Sequence, residues 1–122
     1  MRIGVCDRSE IAVRQLVGWI AQYCKSCAIE PEIGGYVSCD EMLFAASMYR
    51  FDLFCVSFDG PEGFLAARRI RDKEKTAKIV LISDSADYAL MGMRLHVTDY
   101  IVKPVAFEDI VRAMKRAGIG GA

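Results

Sequence analysis

The chain has 122 residues, of which 53% are hydrophobic and 26% are charged. This length and composition fit one ordered domain with its own core and exclude a disordered or fibrous protein. Sixteen basic residues balance sixteen acidic ones, so no general electrostatic field attracts nucleic acid or an anionic membrane.

Neither membrane insertion nor export is indicated by the sequence. No apolar run approaches the roughly 20 residues that span a bilayer. The opening stretch "MRIGVCD" lacks the long apolar region of a secretory signal. We therefore predict a cytoplasmic protein that does not associate with a membrane.

The chain contains five cysteines, and an odd number argues against a disulfide framework. In "YCKSC", Cys24 and Cys27 form a Cys-x-x-Cys pair, which keeps a small redox protein open as an alternative. The pair falls at the predicted end of a helix. A thioredoxin-like pair lies at a helix start, where the helix dipole favours the thiolate.

Short apolar runs predict β-strands at residues 2–6, 29–36, 52–57, 79–83 and 99–102. Apolar residues at helical spacing and capping signals predict helices that begin near residues 9, 38, 61, 86 and 107. Ser9 is predicted to cap the first helix, and Ser38 with Glu41 forms a capping box before the second. Pro31 cannot donate to a strand ladder, so the second strand is predicted to lie at a sheet edge.

Strict alternation of strands and helices with short connections predicts right-handed crossovers and a parallel sheet that is covered on both faces. The most apolar strands are the first, third and fourth, so these are expected at the centre. We predict a flavodoxin-like (βα)5 three-layer sandwich with strand order 2-1-3-4-5. Residues 1–118 would form this domain, and residues 119–122 would be a tail or the start of a linker.

Polar side chains stand at the carboxyl ends of the central strands. In the predicted strand order these ends meet at a switch point, where ligands bind in open α/β sheets. We therefore expect one cleft to contain Asp7, Arg8, Ser57, Ser83 and Lys103.

The segments "RIGVCD", "DYAL" and "HVTDYIVKPV" resemble those of response-regulator receiver domains, and most closely receivers that precede LytTR-type DNA-binding domains. The resemblance covers nearly the whole chain. It implies that Lys103 is followed by a cis-proline at Pro104, that Ser83 is the switch hydroxyl and that Tyr100 is the switch aromatic. It also implies that the chain belongs to a transcription regulator and takes part in two-component signal transduction, which proceeds by phosphorelay.

Two positions depart from the family pattern. Receivers end the first strand with two acidic residues, whereas Arg8 follows Asp7 here. Receivers end the third strand with the aspartate that is phosphorylated, whereas Ser57 stands there. The sequence therefore resembles an atypical receiver, or pseudo-receiver, with a degenerate phospho-acceptor pocket.

The charge of the predicted pocket indicates that Mg²⁺ binding is lost. Asp7, Arg8 and Lys103 sum to about +1, and Asp59 only brings the pocket to neutrality. Hard divalent cations require anionic oxygen ligands, and the Arg8 guanidinium stays charged and can fill the space of a metal. Ser57 lacks a nearby histidine base, so we predict no enzymatic activity. We also predict no cofactor. In place of a metal, we expect the pocket to accept a free anion.

A partner surface is predicted on the fourth helix. Leu90, Met91 and Met93 add apolar surface beyond the stripe that a covering helix needs. The resemblance implies a homodimer or a protein partner, such as a sensor kinase, on the face of helix 4, strand 5 and helix 5. DNA would be bound only through a C-terminal domain that is absent from this sequence.

The leading hypothesis is a signalling module that acts by protein–protein contact without a phospho-acceptor aspartate. One alternative is an ordinary receiver that is phosphorylated on Asp59, two residues beyond the predicted strand end. The other is the redox protein based on Cys24 and Cys27.

Overall fold

The computed structural model describes residues 1–120. Its strands are β1 (Arg2–Asp7), β2 (Glu32–Tyr36), β3 (Leu53–Ser57), β4 (Lys78–Ser83) and β5 (Asp99–Val102). Its helices are α1 (Glu10–Ser26), α2 (Cys39–Met48), α3 (Pro61–Lys73), α4 (Ala89–Arg94) and α5 (Phe107–Arg116). Each strand is followed by a helix, as the sequence predicts.

The five strands form one sheet with the order β2-β1-β3-β4-β5, and every neighbouring pair is parallel. The predicted flavodoxin-like fold and the predicted edge position of β2 are thereby confirmed. In this register Asp7 of β1 lies directly beside Ser57 of β3. Two of the residues that define the predicted cleft are therefore cross-strand neighbours.

The core consists of two apolar layers, one on each face of the sheet. Successive strand residues point to opposite faces, so Cys55 packs in the layer under α1 and α5, and Val56 packs in the layer under α2 and α3. Continuous apolar strands such as β3 are required by a sheet that is buried on both sides. A rigid sheet of this kind fixes the positions of the side chains at its carboxyl edge.

Some element boundaries differ from the predicted ones. β2 starts at Glu32, after Pro31, because proline has no N–H for the ladder. α4 starts at Ala89 rather than near residue 86. There the backbone N–H of Asp87 donates to the Ser85 hydroxyl over 3.2 Å, and a local bond of this kind competes with helix formation.

The start of the predicted tail is packed on the domain. Ile119 is buried in the layer under α1 and α5, and its carbonyl accepts a hydrogen bond of 2.8 Å from the Tyr23 hydroxyl. Residues 121 and 122 of the predicted tail lie outside the described residues. Within residues 1–120, no helix combines the length and the apolar character needed to cross a membrane.

Candidate functional site

A cleft of about 760 Å³ opens at the carboxyl edge of the sheet. Its walls come from the end of β1, the first turns of α1 and the loops after β3, β4 and β5. Five of the predicted pocket residues line it, namely Asp7, Arg8, Ser57, Asp59 and Lys103, together with the cis-proline position Pro104. The structure therefore brings these groups together as the strand order requires.

Ser57 and Asp7 form the buried floor of the cleft. The Ser57 hydroxyl donates to Oδ2 of Asp7 over 2.7 Å. Oδ1 of the same carboxylate accepts the backbone N–H of Ser9 over 2.8 Å, at the position that caps α1. Both oxygens of Asp7 are therefore occupied by donors of the chain itself.

Lys103 lies above this pair. Its Nζ is 2.9 Å from Oδ1 of Asp59 and 3.8 Å from Oδ2 of Asp7. Lys103 therefore lies closer to Asp59 than to Asp7. The ammonium group thus joins the end of β1 to the loop after β3, and its charge is matched within the chain.

Arg8 does not fill the floor of the cleft. Its side chain is 74% exposed and reaches Glu62 in the first turn of α3, where Nε lies 3.2 Å from Oε1. This hydrogen-bonded ion pair raises the pKa of the Arg8 guanidinium. The expectation that Arg8 occupies the metal position is therefore wrong, because the guanidinium bridges the mouth of the cleft instead.

Asp84, a lining residue that the sequence reasoning missed, follows the buried switch position Ser83. Oδ1 of Asp84 accepts the backbone N–H of Gly60 over 3.1 Å and the Ser83 hydroxyl over 3.3 Å. The hydrogen bond from Gly60 is the main reason why the pKa of Asp84 is lowered. Ser83 itself bonds locally and does not appear among the lining residues. Asp84 could have been identified from the sequence, because it is an acidic residue directly after a predicted strand, as Asp7 is.

The charge of the cleft differs from the predicted value. Asp84 and Glu62 add two carboxylates that the sequence reasoning did not count, so four carboxylates face two cations. The formal charge is therefore −2, and the prediction of a neutral or positive pocket is wrong. A negative cleft in which both cations are paired also argues against the predicted binding of a free anion.

The residues present do not fit the magnesium ion that this cleft shape would suggest. Mg²⁺ demands oxygen ligands in near-octahedral geometry, yet each Asp7 oxygen already accepts a hydrogen bond, from Ser9 or from Ser57, and the Lys103 ammonium lies 3.8 Å from Oδ2. Within residues 1–120, no cluster of three or more histidine, cysteine, aspartate or glutamate residues has the geometry of a metal site. The predicted loss of Mg²⁺ binding thus rests on how the oxygens are used and no longer on net charge.

The remaining predicted positions lie close to the cleft or beside it. The Lys103–Pro104 peptide bond is cis, as the resemblance implies. The Tyr100 hydroxyl donates to the Ser85 carbonyl over 2.6 Å, so the aromatic residue of β5 contacts the loop after β4. On α4, Leu90 and Met93 are 63% and 67% exposed and Met91 is also exposed.

The cysteine pair lacks the features of a redox site. Cys24 lies near the end of α1 and Cys27 caps it, far from the positive end of the helix dipole. Cys24 is fully buried, and burial raises the pKa of its thiol, whereas a reactive cysteine needs an accessible thiolate. The redox alternative therefore finds no support at this position.

No protein-family profile matches the chain, and no curated protein matches it either. Solved structures do match. The response regulatory domain of MrkE from Klebsiella pneumoniae is 21% identical over 97% of this chain and 95% of its own, with a TM-score of 0.81. A response regulator receiver domain protein from Clostridium thermocellum is 18% identical over 95% of this chain and 92% of its own, with a TM-score of 0.79.

A third match is the response regulator TrrA from Thermotoga maritima, whose structure is a complex with Mg²⁺ and BeF. It is 25% identical over 95% of this chain and 97% of its own, with a TM-score of 0.72. The chain therefore has the fold of response-regulator receiver domains.

A carboxylate in place of Ser57 tests the geometry of the cleft floor. In Ser57→Asp, two carboxylates would stand side by side in a buried site, because Ser57 and Asp7 are register neighbours. We expect the free energy of unfolding at pH 7 to fall by about 1–3 kcal/mol. The repulsion raises the folded-state pKa of the new carboxyl group, so the penalty shrinks as the pH falls through that pKa.

Urea denaturation at pH 7 and pH 5 measures this difference. Ser57→Asn is the matched control, because its amide can still donate to Asp7 and carries no charge. We expect the Asn variant to show the same stability difference from the natural chain at both pH values. An equal penalty for Ser57→Asp at both pH values would contradict the geometry described for the floor.

Proposed function

We propose that the chain is a cytoplasmic receiver module of a response regulator that acts through protein–protein contact and not through phosphoryl transfer. The observation that carries the proposal is the Ser57–Asp7 hydrogen bond at the end of β3. An alcohol stands where a carboxylate nucleophile would be required, and its proton is held by the neighbouring carboxylate.

Two features support the loss of phosphoryl transfer. An aspartyl phosphate forms only when a carboxylate oxygen attacks, and a metal or cation must neutralise the phosphoryl oxygens in the transition state. Ser57 is almost fully buried, and the Lys103 cation is held by Asp59.

Asp59 is a poor substitute acceptor. It follows β3 by two residues, its side chain is more than half exposed, and it already binds Lys103. A carboxylate displaced from the strand end would also lose the alignment that in-line transfer needs. The proposal therefore places the function of this chain in its surface, and the atypical, LytTR-associated assignment belongs to the same proposal.

The surface that fits this function comprises α4 and β5. Leu90, Met91 and Met93 of α4 and Val102 of β5 are exposed apolar residues, and α5 follows β5 in the fold. Burial of exposed apolar side chains of this kind favours association. We propose that this face binds a second copy of the chain or a protein partner such as a sensor kinase, within a transcription regulator whose DNA-binding part lies in a further domain.

Incubation with acetyl phosphate and Mg²⁺, followed by intact-mass measurement, tests the loss of phosphoryl transfer. We expect no change of mass, because the cleft offers neither a free acceptor carboxylate nor an open metal site. A gain of one phosphoryl group would contradict the proposal. If that gain disappeared in Asp59→Asn, the receiver alternative based on Asp59 would replace it.

Sedimentation velocity over a range of concentrations tests the partner surface. We expect reversible self-association that is lost in the double variant Leu90→Glu and Met93→Glu, because two charges would then enter the contact. Phe44→Glu is the control, since Phe44 is 69% exposed but lies on α2. A strictly monomeric natural chain, or equal loss in both variants, would contradict self-association through α4.

A further inference from the structure

Three hydrogen bonds hold residues 83–85, at the end of β4 and in the loop that leads to α4. Oδ1 of Asp84 accepts the backbone N–H of Gly60, in the loop after β3. The carbonyl of Ser83 accepts the backbone N–H of Lys103 over 2.8 Å, and the carbonyl of Ser85 accepts the Tyr100 hydroxyl over 2.6 Å. Residues 83–85 are thus bonded to two segments at the same edge of the sheet, the loop after β3 and the end of β5.

Among these three hydrogen bonds, the one from Gly60 to Asp84 reaches toward β3, the other strand beside β4. The Ser83 and Ser85 ties run to the neighbouring strand β5 and to the residue after it. The bond from Gly60 to Asp84 instead connects the loop after β4 with the start of α3, and it uses a charged acceptor. Hydrogen bonds with an ionised partner are stronger than neutral ones.

Gly60 has a backbone conformation suited to this bond. Its φ is 61° and its ψ is −148°, a combination that is almost restricted to glycine. It precedes Pro61, the first residue of α3, and no side chain caps this helix. The Asp84 carboxylate therefore also lies close to a helix N-terminus, where negative charge is favourable.

The loop in turn determines where α4 begins. Asp84 is separated from Ala89 by only four residues, and α4 itself has six residues. A helix this short gains little stability from its own hydrogen bonds. Its position therefore depends on contacts outside the helix. Gly92 is buried close to Leu81, Arg71 donates to the carbonyl of Leu95 at the C-terminal end, and the loop after β4 leads into the N-terminal end.

We propose that Asp84 is a positioning residue. Its carboxylate acts as a latch, because it accepts the Gly60 N–H and so holds the loop after β4, and with it α4, in one position. The inference rests on the proposed function, because a latch of this kind matters where α4 is a contact surface. Release of the Gly60–Asp84 bond frees the start of α4 while the sheet stays folded.

Hydrogen exchange of single backbone amides in the full chain, followed by NMR, tests the latch. The variant is Asp84→Ala, and the matched control is Asp87→Ala, an exposed aspartate three residues later in the same loop. The amides that report are Gly60, which donates to Asp84, and Gly92, which donates to the Tyr88 carbonyl over 2.9 Å in α4. Val13, whose N–H donates to the Ser9 carbonyl over 3.0 Å in α1, reports on the rest of the fold.

We expect Asp84→Ala to accelerate exchange at Gly60 and Gly92 by about threefold or more, a size suited to an exposed charged hydrogen bond. Exchange at Val13 stays unchanged, and Asp87→Ala resembles the natural chain at all three positions. In Asp84→Asn the remaining amide oxygen can still accept, so the acceleration is smaller than in Asp84→Ala.

Three outcomes overturn the latch. Acceleration at Gly60 without acceleration at Gly92 makes the bond a local one that does not position α4. Equal acceleration at Gly92 and Val13 reports a loss of global stability instead. Unchanged exchange at Gly60 means that the bond does not protect this amide. No phosphoryl donor is present in this experiment. Its outcomes are therefore distinct from the mass measurement, in which uptake of a phosphoryl group by the natural chain would contradict the proposed function.

Discussion

The hydrogen bond between Ser57 and Asp7 is the interaction on which the rest of the cleft depends. The register of β1 and β3 fixes the two residues side by side, and the buried position excludes water as a competing partner. A buried carboxylate must be paired with donors, and this one accepts hydrogen bonds from Ser57 and Ser9, with the Lys103 ammonium 3.8 Å away. A metal ion would have to share or displace these internal donors to bind the carboxylate.

Charge pairs connect the loops around this floor. Lys103 with Asp59 and Arg8 with Glu62 each join two segments at the carboxyl edge of the sheet, and Asp84 adds the link to Gly60. Exposed pairs of this kind contribute little stability one at a time, but together they specify how four loops are placed. The charged groups of the cleft therefore hold the loops in place, as we expect for a module that acts through contacts on its α4 and β5 surface.

The sequence predicted the strand order because alternation and apolar runs are global patterns, and it predicted Asp7, Ser57 and Lys103 because strand ends converge. It missed Glu62 and Asp84 because charges were counted only at positions that the family pattern marks. The outward turn of Arg8 could not be foreseen either, because it depends on where the first turn of α3 lies relative to β1. The late start of α4 follows from a side-chain bond of Ser85, which periodicity does not report.

A magnesium titration of the isotopically labelled chain, followed through the backbone amides by NMR, tests the central claim most directly. The reporting amide is that of Ser9, whose N–H donates to Asp7, and the amide of Ser57 serves as the second reporter. The account predicts no saturable shift at either amide, because both Asp7 oxygens are already bonded within the chain. Saturable shifts at Ser9 and Ser57 together would show that Asp7 exchanges its internal donors for the metal, and they would contradict the account.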